Sequence, residues 1–342
     1  MADVGKRLPE NVAGEFFVDS TCINCLNCSS MAPQFFRQAG AHQVVYRQPE
    51  SADEVRLAMQ ILVSCPVGAI GTVNRAALKE VMADFPLLIE DEVYFCGFNS
   101  PKTAGAASYF IKHADGNWLV CAPKFLPQLV SKFEELGGLS YIFLTHRDDV
   151  GDSDKYAARF GARRIIHGND LDSSPQAEIV IETAEPLTPA GISSDFLVIP
   201  QPGHTEGHCA LLYRNKFLFS GDELKPDRAG HLLDTWDPFW TWYSFERQTE
   251  SAEKLGQHKF QWILPSHGQR MKIDAAEVPA LVQEAVNRAR AIADTEPMTM
   301  ERVNNLREYA ADLRKWGQVE YAEKVESRAA AVQSKLGMHG TF

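Results

Sequence analysis

The chain has 342 residues, room for two or three domains and a sizeable core. Its 45% hydrophobic and 23% charged content is that of an ordinary globular protein. A net charge of −11 and a pI of about 5.4 argue against nucleic acid or an anionic membrane as a partner. No stretch approaches the ~18 uninterrupted apolar residues that a spanning helix needs. The opening residues Met1 to Arg7 contain no apolar run of the signal-peptide kind, so a cytoplasmic address is expected. Seven cysteines, three of them tightly spaced, suit reduced thiolates holding a metal better than a disulfide framework.

Residues 1–78 are organised around Cys22-Ile23-Asn24-Cys25-Leu26-Asn27-Cys28, a C-x2-C-x2-C run. A fourth cysteine, Cys65, follows much later and is itself followed by Pro66. Three close thiolates can wrap one side of a cubane cluster, and a distant Cys-Pro can close it. A zinc knuckle or a redox-active thiol pair is the alternative, but zinc sites usually add a second tight pair. The pattern resembles a ferredoxin holding one [4Fe–4S] cluster, with Cys22, Cys25, Cys28 and Cys65 as its ligands. Between the third and fourth cysteines, Ser51 with Glu54 reads as a capping box opening a helix with Val55, Met59 and Leu62 on one face. No second copy of the cysteine motif exists, so one cluster is expected.

A helix and connector over Arg75–Asp84 lead into residues 85–274. Short strands are expected at Glu92–Phe95, Ser108–Lys112, Trp118–Cys121, Tyr141–Leu144, Arg164–Ile166, Glu178–Glu182, Asp195–Ile199, Cys209–Tyr213, Phe217–Ser220 and Trp262–Leu264. Helical patterns fall at Pro127–Leu136, Asp154–Phe160 and Tyr243–Leu255. Four of the strands run into a histidine or aspartate: His146, His204, Asp222 and His267. Strand ends are where α/β sheets place ligands, and imidazole with carboxylate suits zinc or iron.

These residues sit in Thr145-His146, Pro202-Gly203-His204-Thr205, Gly221-Asp222 and Pro265-Ser266-His267-Gly268. In that order and setting the segment, over roughly residues 90–270, resembles the metallo-β-lactamase superfamily. The resemblance implies an αβ/βα sandwich with one or two Fe or Zn ions at the edge shared by two sheets. It also implies a small-molecule substrate, since members include thioester hydrolases, lactamases, nucleases, flavodiiron oxidoreductases and persulfide dioxygenases. Fold alone does not choose among them. The superfamily's second motif usually reads H-x-H-x-D-H. Here Asp148 stands at its second histidine, and Val150 and Gly151 stand at the aspartate and histidine of the second metal. Cys121 takes the place of a usual aspartate, while Asp149 and Asp152 lie close enough in sequence to compensate.

The expected ligand set is therefore His146, His204 and Asp222, with Asp148 and His267 assisting, at a mononuclear or weakly binuclear site. Asp148 and His208 are the candidate acid–base groups, although His208 could equally cap a turn. His167, Cys96 and Cys209 read as structural. The aromatic run Trp236–Ser244 lines either an apolar pocket, a docking face or the core.

Residues 275–342 read as a helical tail, with helices over Ala275–Ala293, Met300–Trp316 and Val319–Leu336. The whole is an α/β chain: a small α+β ferredoxin-like domain, a metallo-β-lactamase-like sandwich, and a helical end. The reading favoured here is an oxidoreductase in which the cluster exchanges electrons with a non-haem metal site, served by a redox protein partner. The alternatives are a metal-dependent hydrolase of an ester, thioester or amide with a structural or regulatory cluster, and a non-catalytic module with a degenerate pocket.

Overall fold

A computed structural model describes residues 2–295 apart from Arg228, Trp236 and Asp237. Beyond 295 it describes residues 303, 304, 307, 310, 311, 314 and 319–338. The chain divides into two compact units, residues 1–290 and 291–342.

The first unit begins with a small core of its own. Strand β1 (Phe16–Val18) pairs antiparallel with β4 (Ile70–Thr72), and β2 (Phe36–Ala39) forms a hairpin with β3 (His42–Val45). Helix α1 (Asn27–Met31) and helix α2 (Ala52–Ser64) lie between them, and α3 (Leu78–Met82) follows. The capping box at α2 is present, with Ser51 Oγ accepting from the Glu54 amide at 3.2 Å. Phe16, Val18, Phe35, Phe36, Ala58, Met59 and Ile61 fill this core together with Cys22 and Cys28.

Next come two sheets face to face. The first has the order β11-β10-β9-β8-β7-β6-β5, where β5 is Leu87–Glu90, β6 Val93–Phe95, β7 Tyr109–Ile111 and β8 Trp118–Val120. Its remaining strands, β9 (Tyr141–Phe143), β10 (Arg163–His167) and β11 (Ile179–Ile181), run parallel to β8. Helices α4 (Pro127–Glu135) and α5 (Ser153–Phe160) cover it through Leu129, Phe133 and Tyr156, with Phe110 and Phe133 stacked at 5.0 Å. The second sheet has the order β12-β13-β14-β17-β18: β12 is Phe196–Pro200, β13 Cys209–Tyr213, β14 Phe217–Gly221, β17 Trp262–Pro265 and β18 Met271–Lys272. A two-stranded ribbon, β15 (Leu224–Pro226) and β16 (Leu233–Thr235), branches from it.

Strand alternation explains why the second sheet reads as almost unbroken apolar runs. Along β13, Cys209, Leu211 and Tyr213 face the core shared with the first sheet. Ala210 and Leu212 face α6 (Phe245–Leu255) and α7 (Val278–Thr295), whose Ala252, Leu255, Val282 and Val286 cover them. The inter-sheet core is aromatic: the ring of Phe196 stacks on Trp118 at 4.0 Å and on Tyr213 at 4.8 Å.

Every expected strand forms, with ends shifted by a residue or two. Helix α6 starts at Phe245 rather than Tyr243, because Ser244 accepts from the Arg247 amide and caps it. Among the described residues no helix is long and apolar enough to cross a membrane. In the second unit α8 (Val319–Met338) forms as expected, while the helix over Met300–Trp316 falls largely outside the described residues. Arg307 meets Gln333 at 2.6 Å and Arg314 meets Glu326 at 2.7 Å.

Replacing Phe196 by Ala empties the centre of the sandwich. A loss of about 3–5 kcal/mol is expected, seen as an earlier denaturant midpoint for the first unit.

Candidate metal centre and cluster site

At the edge where the sheets meet, the loops after β9, β12, β14 and β17 converge. The backbone pins the two sheets together there: the Cys209 amide donates to the Thr145 carbonyl at 2.7 Å, and the Ala107 amide to the Ser266 carbonyl at 2.6 Å. His146, His204 and Asp222, all buried, offer ligand atoms within 4.8 Å of one another. Asp222 Oδ2 lies 3.6 Å from both His146 Nε2 and His204 Nε2. Asp148 Oδ2 stands across from it, 4.0 and 3.9 Å from the same two nitrogens. Ligands about 2.1 Å from a tetrahedral zinc stand about 3.4 Å apart, so a small contraction would close this group on an ion. The pocket also holds polar atoms with nothing to bond: His146 Nε2 and Asp149 Oδ1 are buried and lack a hydrogen-bond partner. Unpaired lone pairs at this depth fit a cation.

A second group, Asp149, Asp222 and His267, is also gathered within 4.8 Å, and Asp222 is common to both. The weakly binuclear alternative thus keeps three candidate ligands at its second position. Val150 and Gly151 do leave it. At Gly151, φ is +50° and a Cβ would lie 2.3 Å from the Ala122 carbonyl oxygen, so no histidine fits that backbone. Asp149 supplies the missing carboxylate from one residue earlier. Arg147–Asp149 is a single 3-10 turn, in which successive side chains splay about 120° apart. Asp148 therefore faces the first group and Asp149 the second. Asp152, the other compensating candidate, instead binds Lys102 at 2.7 Å and the Phe125 amide at 3.0 Å.

In the first group the protonation states suit ligands. Burial, then the neighbouring His204, holds His146 well below the ordinary imidazole value, and burial lowers His204 too. Burial would raise Asp222, but His267, His204 and His146 together hold it well below the usual carboxylate range. Burial and then the Asp222 charge push Asp149 up to about 7. For His267, burial is outweighed by Asp222, which contacts its Nδ1 at 3.0 Å and raises it to about 9.

His208 is not placed as an acid or base. It is fully buried, and its Nε2 accepts the Asp222 amide at 3.0 Å. Burial and then His204 lower it to about 3, so it stays neutral. Its work is to position Asp222. Gly221 permits this contact: at φ +57° a Cβ would fall 2.3 Å from His208 Nε2. Gly203 has a comparable constraint, because helix α6 presses Gln248 Cα to 2.3 Å from where its Cβ would be. The amides of Trp242 and Tyr243 both donate to the His204 carbonyl, at 2.9 and 3.2 Å, so the described part of the aromatic run lines the His204 side. Cys121, at φ +56°, places Sγ 3.3 Å from Thr145 Oγ1 and 3.8 Å from Asp149 Oδ2. His167 accepts the Asn169 amide in a local turn, and Cys96 and Cys209 are buried as expected.

Sequence reasoning missed Asp170. It is fully buried and ties the loops of the two first-group histidines together. Its carboxylate accepts the Arg147 amide at 3.0 Å and Arg147 Nε at 2.9 Å from one loop, and Thr205 Oγ1 at 2.6 Å and the Gly207 amide at 3.3 Å from the other. Asn-Asp in a connector carries no local sign of such a part.

In the N-terminal domain, Cys22, Cys25, Cys28 and Cys65 line one cavity with Val18, Ile23 and Pro66. Asn24 and Leu26, with φ of +52° and +63°, wrap the chain around it. Amides of Asn24 and Gln43 point at Cys22 Sγ, both at 3.4 Å, and that of Ala69 at Cys65 Sγ at 3.3 Å. Burial and the charges of neighbouring cysteines push the thiols of Cys25 and Cys28 up. Four convergent sulfurs, two of them receiving backbone N–H groups, fit an iron–sulfur cluster.

Residues 18–72 match the family model of the 4Fe-4S single cluster domain of Ferredoxin I. The chain is 30% identical over 183 residues to a hydroxyacylglutathione hydrolase of Shewanella pealeana (strain ATCC 700345 / ANG-SQ1), covering 50% of this chain and 60% of that protein. It is 30% identical over 155 residues to the hydroxyacylglutathione hydrolase of Synechococcus sp. (strain JA-3-3Ab), covering 44% and 55%. The chain thus spans somewhat over half the length of these relatives. Similar solved structures include the metallo-β-lactamase FIM-1 from Pseudomonas aeruginosa in its mono-zinc form, at TM-score 0.45 and 16% identity, covering 59% of this chain and 94% of that one. A metallo-β-lactamase from Pontibacter korlensis matches at TM-score 0.45 and 14% identity, covering 59% and 97%. A domain matching a single-cluster 4Fe-4S model is here joined to a sandwich of two facing sheets.

Replacing Asp170 by Asn unties both histidine loops, and pocket metal affinity is expected to fall about 10–100-fold while the cluster's absorbance is unchanged. The metal-free protein should also show the His267–Asp222 pair in its pH dependence. A folded value raised to about 9 means stability fully present below the ordinary imidazole value and lost as pH rises through 9. Wild type and His267→Gln should differ in unfolding midpoint at pH 6 and converge above pH of about 10.

Proposed function

We propose that this chain is a metal-dependent hydrolase that cleaves a thioester or ester at a two-ion site. The observation that carries the reading is Asp222: one carboxylate shared by two ligand groups built wholly of imidazole and carboxylate. The similarity to hydroxyacylglutathione hydrolases supports an acyl thioester as substrate. Divalent ions held there would supply Lewis acidity and bring a water's pKa to about 7. His146, His204 and Asp148 would hold the first ion, Asp149 and His267 the second, and Asp222 both. His208 and Asp170 keep Asp222 and the histidine loops in register. Trp242, whose ring lies 6.2 Å from His204, offers an apolar wall for an acyl group. A non-catalytic, degenerate pocket fits poorly with donors still buried without partners.

One observation favours a redox reading as the second choice. Gly105, in the loop that reaches the metal centre, lies against cluster ligand Cys25. In that reading the pocket holds iron and the cluster exchanges electrons with it.

Anaerobically purified protein should hydrolyse hydroxyacylglutathione thioesters or simpler acyl thioesters. His204→Ala should lower kcat/KM by about three orders of magnitude, losing pocket metal with the cluster spectrum intact. Hydrolysis indifferent to cluster reduction supports this function. Absence of turnover on every ester and thioester, with iron in the pocket and electrons passing from the cluster, would replace it by the redox reading.

A further inference from the structure

Between the two centres lies one compact turn, Ser100 to Gly105, that touches both. Its backbone is closed on itself: the Gly105 amide donates to the Ser100 carbonyl at 3.0 Å, and Asn99 Nδ2 donates to the Gly105 carbonyl at 2.7 Å. Thr103 Oγ1 adds a bond to the same Ser100 carbonyl at 3.1 Å. Asn99, Ser100 and Thr103 are buried, so the turn shifts as one body if it shifts at all.

On the cluster side Gly105 has φ +95°, and a Cβ there would lie 3.0 Å from Pro66 Cγ and 3.3 Å from Cys25 Sγ. The turn therefore rests on one cluster cysteine and on the proline that follows another. On the pocket side His267 Nε2 contacts the Thr103 carbonyl at 3.0 Å. A carbonyl only accepts, so the proton is on Nε2, and Nδ1 faces Asp222 Oδ1 at 3.0 Å. Such a bond to the far nitrogen orients a histidine for metal. The turn's exit is fastened to the same strand end by the Ala107–Ser266 bond.

We propose that this turn couples the cluster to the second ligand group, with Gly105 and Thr103 as positioning residues: the cluster, when present, holds His267 in its ligating pose. The four cysteines are crosslinked only through the cluster. Without it their loops lose that constraint, the surface under Gly105 recedes, and the Thr103 carbonyl no longer fixes His267. Loss of the cluster, for instance by oxidation, then selectively weakens the second ion. Linkage requires the reverse as well, so an ion at His267 stabilises the cluster by the same free energy. The proposal rests on the two-ion reading of the pocket but not on hydrolysis.

The test uses the full chain, with Zn²⁺ as the probe and no substrate. Zinc is counted and titrated with the cluster in place and after its oxidative removal, and the reduced cluster's EPR spectrum is recorded with and without zinc. Two zincs are expected with the cluster, and the second should bind about 10–100-fold more weakly without it. The EPR spectrum should shift on zinc loading in wild type. In Gly105→Ala that shift should vanish and the second zinc weaken, with the first unchanged. Gly40→Ala, in the cluster domain but facing open space, should behave as wild type. Two zincs whose second is indifferent to the cluster would overturn the coupling alone. A single zinc in the intact protein would overturn the two-ion reading with it.

Discussion

The carboxylate of Asp222 sits in the interior among three imidazoles, those of His146, His204 and His267, and the rest of the metal centre is arranged to keep it there. A charge at that depth is costly unless it is compensated on every side. The compensation comes from both sheets: His146 from the first, and His204 and His267 from the second. The backbone of Asp222 is held as firmly as its side chain. His208 receives its amide at 3.0 Å, and Gln248 donates to its carbonyl at 3.3 Å. The left-handed glycine before it makes the room. Because one residue serves both ligand groups, any displacement of the β14 end disturbs both at once.

The same economy explains the supporting network. Asp170 belongs to neither ligand group, yet it fixes the distance between the loops of His146 and His204 with four hydrogen bonds. The aromatic interior, in which Phe196 bridges Trp118 and Tyr213, sets the spacing of the sheets themselves. The ferredoxin-like domain brings its own small core, and the turn at Ser100–Gly105 lies where that core meets the sandwich. Packing, rather than a shared ligand, joins the two centres.

Much of this was legible in the residues. The cysteines announce themselves because three of the four come from one local loop. The histidines and Asp222 announce themselves because each ends an apolar strand. Asp149 was harder. Motif spacing alone leaves the second position empty, since Val150 and Gly151 occupy the usual places. Only the 3-10 turn over Arg147–Asp149 shows that adjacent aspartates face different groups. His208 reads equally well as an acid or a turn cap until its Nε2 is seen accepting an amide.

The sequence by itself determined the local chemistry: a four-cysteine cluster motif, strand ends bearing imidazole and carboxylate, and the alternation that packs one sheet on the other. Those features are encoded within a few residues of each other, where periodicity and turn chemistry act directly. Tertiary structure alone decided which imidazoles and carboxylates converge, how Asp170 ties two distant loops, and that Gly105 lies against Cys25 while the Thr103 carbonyl contacts His267. Such contacts join residues separated by tens to more than a hundred positions. They depend on how two sheets and a small domain pack, which no local pattern records.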